Sequence, residues 1–157
     1  MSNINLIGLD NLKAADLSSK LNTLLANYQI FYSNLRGYHW NIKGEKFFEL
    51  HAKFEELYND AFLKIDEIAE RILTLGFTPF HTFTDYIANS EIKTTKDVTD
   101  GKTAVRNVLS AFTILIRLER DILELAGDAD DEGTNALMSD YIREQEKLVW
   151  MYNATIS

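Results

Sequence analysis

From Leu17 the apolar residues recur at Leu21, Leu24, Tyr28, Phe31, Leu35 and Tyr38, in alternating steps of four and three. That is the spacing of one stripe along an α-helix, and it predicts a first helix ending near Trp40. Asn41-Ile42-Lys43-Gly44 then breaks the pattern with a turn. A second stripe runs through Phe47, His51, Phe54, Tyr58, Ala61, Ile65, Ile68, Ile72 and Leu75, closed by Gly76 with Pro79 just beyond, which is the usual way for a helix to stop. Between Thr78 and Thr99 the chain is polar and interrupted, with room for one short helix at about Thr82–Asn89 in a connection too long for a hairpin. Helical spacing returns from Ala104 to Leu125 through Val108, Phe112, Leu115 and Ile122, and from Thr134 to Ala154 through Leu137, Tyr141, Leu148 and Met151. Gly127-Asp-Ala-Asp-Asp-Glu-Gly133 between them reads as a glycine-bounded acidic turn. Four long helices, one long crossover, no strand-like alternation and no repeat make an all-α four-helix bundle the expected fold. One domain covers residues 1–157, with 1–10 as a short N-terminal segment that carries no basic tail.

The second helix carries three faces when placed on a wheel at about 100° per residue with His51 as zero. Phe54, Tyr58, Ala61, Ile65, Ile68, Ile72 and Leu75 centre near roughly 290° and form the stripe that packs into the chain's own bundle. Lys46, Glu49, Lys53, Glu56, Asp60, Lys64, Glu67, Arg71 and Thr74 lie between roughly 140° and 220°, a wholly polar face expected to meet water. The remaining arc, roughly 0° to 100°, mixes Phe48, Ala52, Phe62, Ala69 and Leu73 with His51, Glu55, Asn59, Asp66 and Glu70. Such a mixture suits neither a core nor a solvated surface, and it suggests a subunit interface with a functional cluster inside it.

Composition narrows what that cluster can be. The 157 residues include no cysteine, which excludes disulfides, thiolate metal sites and a cysteine nucleophile, so any metal has to be held by His, Asp and Glu. With 24 Asp+Glu against 16 Lys+Arg the formal net charge is −8. No basic cluster offsets it, so cations are better expected ligands than nucleic acid. Met1 to Asp10 lacks a basic segment followed by an apolar run, and nowhere are there about 18 consecutive apolar residues. The chain therefore reads as soluble and cytoplasmic, with no membrane partner.

His51/Glu55 and Asp66/Glu70 are two i, i+4 pairs on the mixed arc, each able to place two metal ligands on one side of the helix. Taken singly, an acid pair is also an ordinary solvated face, and a histidine beside a core stripe is also an ordinary hydrogen-bonded residue. Shared by one otherwise apolar arc, the pairs point to iron, manganese or zinc, with carboxylate-rich coordination favouring iron. The two pairs cannot share a metal within one chain, because fifteen residues of helix between His51 and Asp66 span about 22 Å. The same helix from a second subunit, packed antiparallel across a two-fold axis, would bring the His51/Glu55 end of one against the Asp66/Glu70 end of the other. His39, a short turn away at the end of the first helix, can complete the nitrogen set.

The segment His39-Trp40-Asn41, with Gly44, Phe48, His51, Phe54-Glu55, Asp66-Glu67, Ala69-Glu70-Arg71 and Pro79, resembles the Dps proteins, the mini-ferritins named as DNA-binding proteins from starved cells. The resemblance extends through Thr134 to Lys147-Leu-Val-Trp-Met151. The intervals 12, 4, 11 and 4 from His39 through His51, Glu55 and Asp66 to Glu70 look like that family's ferroxidase spacing. It implies a ferritin-like bundle in a hollow dodecameric shell, with inter-subunit centres binding two irons each. His39, His51 and Glu55 would come from one subunit, and Asp66 and Glu70 from its two-fold mate. Glu55 stands where many members have Asp. The implied activity is oxidation of Fe²⁺ by hydrogen peroxide, or more slowly by oxygen, with storage of ferric mineral and protection against oxidative damage. Trp40 matches the family's tryptophan beside the centre, a radical trap or equally an interface packing residue. Classical ferritins carry Glu-x-x-His inside one bundle, and no Glu-x-x-His occurs here.

Asp128, Asp130, Asp131 and Glu132 are expected to cap the last helix, as Asp131 or Glu132 would do. By resemblance they are also candidates to line a shell pore that draws in Fe²⁺, to which Asp140 or Glu144 can contribute. Residues 1–20 hold Lys13 and Lys20 against Asp10 and Asp16, and direct DNA binding is not expected from so acidic a chain. The alternative function is a non-enzymatic nucleoid or architectural shell in which a metal cluster merely holds the dimer together.

Overall fold

The computed structural model describes residues 4–157; residues 1–3 of the N-terminal segment lie outside the described residues. Five helices follow in order: α1 (Asn11–Asn41), α2 (Phe47–Thr74), α3 (Phe83–Asn89), α4 (Gly101–Asp128) and α5 (Glu132–Ala154). Among the described residues there is no β-strand beyond two isolated bridges. Among the described residues no helix is long and apolar enough to cross a membrane.

α1 begins at Asn11, ahead of the apolar stripe, because the Asp10 carboxylate accepts hydrogen bonds from the amides of Leu12 and Lys13, both at 3.0 Å. A cap of this kind satisfies orphan N–H groups whatever the polarity of the first turn, so periodicity alone could not place it. The middle of α1 is buried all round: Leu24, Leu25, Ala26, Asn27 and Tyr28 follow one another out of contact with water. α1 pairs with α2 and also packs on α4 and α3, while α4 pairs with α5.

Three asparagines on α1 hold the crossover. Asn22 donates to the carbonyl of Thr78 and accepts from the amide of Phe80. Asn27 Oδ1 accepts from Ser90 Oγ and from the amides of Glu91 and Ile92. Asn34 accepts from Thr95 and donates to the carbonyl of Lys93. The crossover thus runs alongside α1 from its early turns to its end. There the Lys43 amide donates to the Thr99 carbonyl at 2.8 Å, which sets the start of α4 beside the start of α2 and makes those two helices parallel.

Two expectations are corrected. The acidic turn is shorter than Gly127–Gly133: α4 continues to Asp128 and α5 begins at Glu132. Asp130 adopts a left-handed φ of 56°, a conformation that Asp tolerates because its short side chain can bond locally. The polar face of α2 does not all meet water. Lys64 is only 4% exposed and donates to Asp60 at 2.7 Å and to Glu144 of α5 at 2.9 Å. Arg71 donates to Asp131 and to Thr134 Oγ1. α5 lies across this face, and long cationic side chains were buried there through paired charges, which a wheel sorted by polarity does not register.

Candidate metal centre

The α1–α2 hairpin places His39, near the end of one helix, against His51, in the first turns of the next. Gly44, at φ 115°, lets the chain reverse between them; that region of backbone space favours glycine. The two imidazoles lie face to face with centroids 3.8 Å apart and planes 9° from parallel. Phe47 flanks His51 at 4.9 Å, and Tyr58 meets the His39 ring edge-on at 5.3 Å. Each histidine also uses the other's backbone. His39 Nδ1 lies 2.6 Å from the carbonyl oxygen of His51, and His51 Nδ1 lies 2.7 Å from that of His39. A carbonyl oxygen only accepts, so both Nδ1 atoms carry hydrogen. The lone pair of each neutral ring is therefore on Nε2, as a metal ligand requires.

Glu55, one turn along α2, is exposed and accepts from Tyr58 Oη at 3.3 Å. Partial desolvation, then the Glu55 charge, hold the Tyr58 phenol above its ordinary value, so it serves as a neutral donor. Tyr58 is half-buried against the core, as its place on the apolar stripe predicts, and its i+3 spacing from Glu55 is the sequence signal for this second contact.

Asp66 and Glu70 lie further along the same unbroken helix, both exposed. The other acids of α2 have partners: Glu49 with Lys46, Glu56 with Lys53, Asp60 with Lys64, and Glu67 with Tyr141. The carboxylates of Asp66 and Glu70 have none among the described residues. Beside them Phe62 is 59% exposed and Leu73 57%, and Phe48, at the His51 end of the same arc, is 79% exposed, a scale of apolar exposure that marks an interaction surface. Among the described residues of one chain no group of three or more His, Asp or Glu is close enough to hold a metal ion. The structure brings His39 and His51 together, places Glu55 one turn along α2 from His51, and leaves Asp66 and Glu70 further along the same helix.

Trp40 is exposed on α1 beside His39, with the Arg36 guanidinium 4.7 Å above its ring. Of the acidic run, Asp128, Asp130 and Glu132 are exposed. Asp131 is put to another use. It is buried and caps α5, accepting from the Thr134 amide at 3.0 Å, from Thr134 Oγ1 and from Arg71 at 2.7 Å. Asp140 pairs with Arg143, and Glu144 with Lys64. His81 is exposed in the crossover, its Nδ1 3.1 Å from the Pro79 carbonyl.

Residues 18–157 match the family model described as a ferritin-like domain. A DNA protection during starvation protein of Porphyromonas gingivalis is 43% identical over 147 residues, covering 94% of this chain and 92% of that protein. The chain belongs to the Dps family. The crystal structure of a Dps protein from Vibrio cholerae O1, described as a member of a broad superfamily of ferritin-like diiron-carboxylate proteins, matches with a TM-score of 0.98 at 58% identity, covering 100% of this chain and 99% of that one. A Dps protein from Bacillus brevis matches with a TM-score of 0.90 at 33% identity over 92% of this chain and 97% of its own. The expected ferritin-like bundle is thereby the observed fold, and the Dps fold sets His39, His51 and Glu55 at one end of α2 and Asp66 and Glu70 towards the other.

Proposed function

We propose that this Dps-family chain is a ferroxidase and iron-storing mini-ferritin whose di-iron centres are shared between subunits. His39, His51 and Glu55 of one subunit and Asp66 and Glu70 of its two-fold mate together bind Fe²⁺ as substrate. The observation that carries the reading is the partition of acids on α2: those on the other faces are paired, while Asp66 and Glu70, about 22 Å from His51 along the helix, are not. Two histidines with free Nε2 atoms are half of a ligand set, and two unpaired carboxylates on an apolar arc are the other half.

Hydrogen peroxide takes one electron from each of two ferrous ions and two protons, and leaves as two waters. The protein's part is to present the ligands. The reciprocal Nδ1–carbonyl bonds fix both imidazoles in one tautomer and orientation, and the stacked Phe47 and edge-on Tyr58 hold the rings against rotation. The Tyr58 phenol aims the Glu55 carboxylate by donating to Oε1. Burial of Phe48, Phe62 and Leu73 against the mate would exclude water and raise the strength of every charge interaction inside. Trp40, beside His39, is positioned to intercept stray oxidising equivalents or to pack in that interface. Twelve subunits form the shell, with Asp128, Asp130 and Glu132 as candidates for the pore and Asp131 reserved for structure. Zinc and manganese compete for a site of two imidazoles and three carboxylates.

The test is His51→Ala and Asp66→Ala, made separately. Each is expected to abolish most peroxide-dependent Fe²⁺ oxidation while the particle keeps its mass. Undiminished oxidation in either variant refutes the assignment.

A further inference from the structure

Glu119 occupies a core position on α4, between Leu115 and Ile122, and has no exposed surface (0%). Tyr28 of α1 and Gln145 of α5 close on it, each 1% exposed. Three short contacts join the three side chains. Tyr28 Oη lies 2.5 Å from Glu119 Oε2. It also lies 2.5 Å from one end of the Gln145 amide, and the other end of that amide lies 2.6 Å from Glu119 Oε1.

Polar atoms at such separations in a dry core each require a hydrogen between them. Tyr28 brings one, and the Gln145 amide can direct one into the ring. An ionised Glu119 brings none, and two hydrogens cannot fill three contacts. With the amide nitrogen towards Tyr28, the Gln145 oxygen is set against Glu119 Oε1 with nothing between. With the nitrogen towards Glu119, the Gln145 oxygen is set against Tyr28 Oη, whose hydrogen is already given to the carboxylate. Either orientation leaves a bare oxygen pair. A proton on Glu119 closes the ring in both, each member donating once and accepting once.

We propose that Glu119 is carried as the neutral acid in a closed ring of three hydrogen bonds with Tyr28 and Gln145, tying α1, α4 and α5 together through one proton, so that the bundle loosens as the medium turns alkaline. The other ionisable groups facing it leave that proton in place. From α2, Lys64 draws it off while Asp60 retains it, and Lys64 is itself committed to Asp60 and Glu144. From α5, Tyr141 is a neutral phenol bonded towards Glu67. Burial, the dominant effect, pushes the Glu119 carboxyl from its ordinary 4.5 up to about 8. A carboxyl raised on folding binds more protons in the native state. Its contribution is full below the ordinary value, declines as pH rises, and is lost above the raised one.

The test is an infrared difference spectrum of the assembled protein between about pH 6 and about pH 10, a range bracketing the raised carboxyl. A C=O band of a protonated carboxylic acid is expected at the lower pH, lost at the higher, and absent from Glu119→Gln, whose amide supplies the third hydrogen without titrating. Absence of the band from the wild type at the lower pH, or its persistence in the variant, overturns the proposal. Should Glu119→Gln fail to assemble, the wild-type band decides alone. Where it assembles, the wild-type folding constant relative to the variant should fall by up to about tenfold per pH unit between the two values, and a pH-independent ratio refutes the device.

Discussion

A shared centre makes a prediction about mixed particles that a site contained in one chain does not. His51→Ala subunits lack the nitrogen half of each centre and Asp66→Ala subunits the carboxylate half, so particles of either alone contain no complete site. In a particle co-assembled from equal amounts, each centre draws its nitrogen half from one subunit and its carboxylate half from the mate. A centre is intact when the nitrogen half comes from an Asp66→Ala chain and the carboxylate half from a His51→Ala chain. Random mixing gives each condition about one half, so about one quarter of the centres are wild type. The distance behind this count is the 15 residues of continuous α2 between His51 and Asp66, about 22 Å at 1.5 Å per residue, which no side chain bridges. The assay is the rate of ferric absorbance after mixing with Fe²⁺ and peroxide, on particles dissociated together, reassembled and shown by native mass spectrometry to contain both chains. Recovery to about a quarter of the wild-type rate is expected. A mixed particle no faster than its parents would sink the inter-subunit site.

Asn27→Ala removes the acceptor for Ser90 Oγ and two crossover amides at a fully buried position. A loss of about 2–4 kcal/mol is expected from unsatisfied donors, read from the urea midpoint at unchanged slope. Asp131→Ala leaves Arg71 and the start of α5 unpartnered and should cost about 3 kcal/mol by the same measurement, more than an exposed acid would. Neutralising Asp128, Asp130 and Glu132 together should slow iron uptake at low ionic strength and converge on wild type as salt screens the potential, in stopped-flow records across a salt series. Duplex DNA should show no gel shift at physiological ionic strength without added divalent cations, given a net charge of −8 per chain; a salt-dependent shift would refute this.

The four long helices were legible because their apolar stripes are long and regular, and the crossover because nothing in it repeats. Helix ends were less so. α1 and α4 start earlier than their stripes because Asp10 and Asp100 cap them, and a cap acts on backbone amides rather than on the burial that periodicity reports. The same limit misplaced Lys64 and Arg71, whose charges are satisfied inside the protein. Asn22, Asn27 and Asn34 interrupt the polarity of α1 for a related reason: each replaces water for backbone groups of the crossover. Glu119 carries a readable signal, one acid at a core step of an otherwise apolar stripe between Leu115 and Ile122.

The arc on α2 is where sequence and single-chain structure say most when set side by side. By polarity alone, Asp66 and Glu70 are like Glu56 and Glu67, and each is a charged residue on an exposed helix surface. What separates them is their company. Glu56 and Glu67 have Lys53 and Tyr141, whereas Asp66 and Glu70 are flanked by Phe62 and Leu73, both more than half exposed. A monomer would hydrate these carboxylates at no cost but would leave the apolar residues in water, and burying the apolar residues against a mate would strand the carboxylates unless cations or ligand-bearing partners met them. An interface that supplies both would satisfy the arc. We propose the His39–His51 pair, whose Nδ1 atoms are engaged by backbone carbonyls and whose Nε2 atoms are left for a ligand, as the half-site that does so.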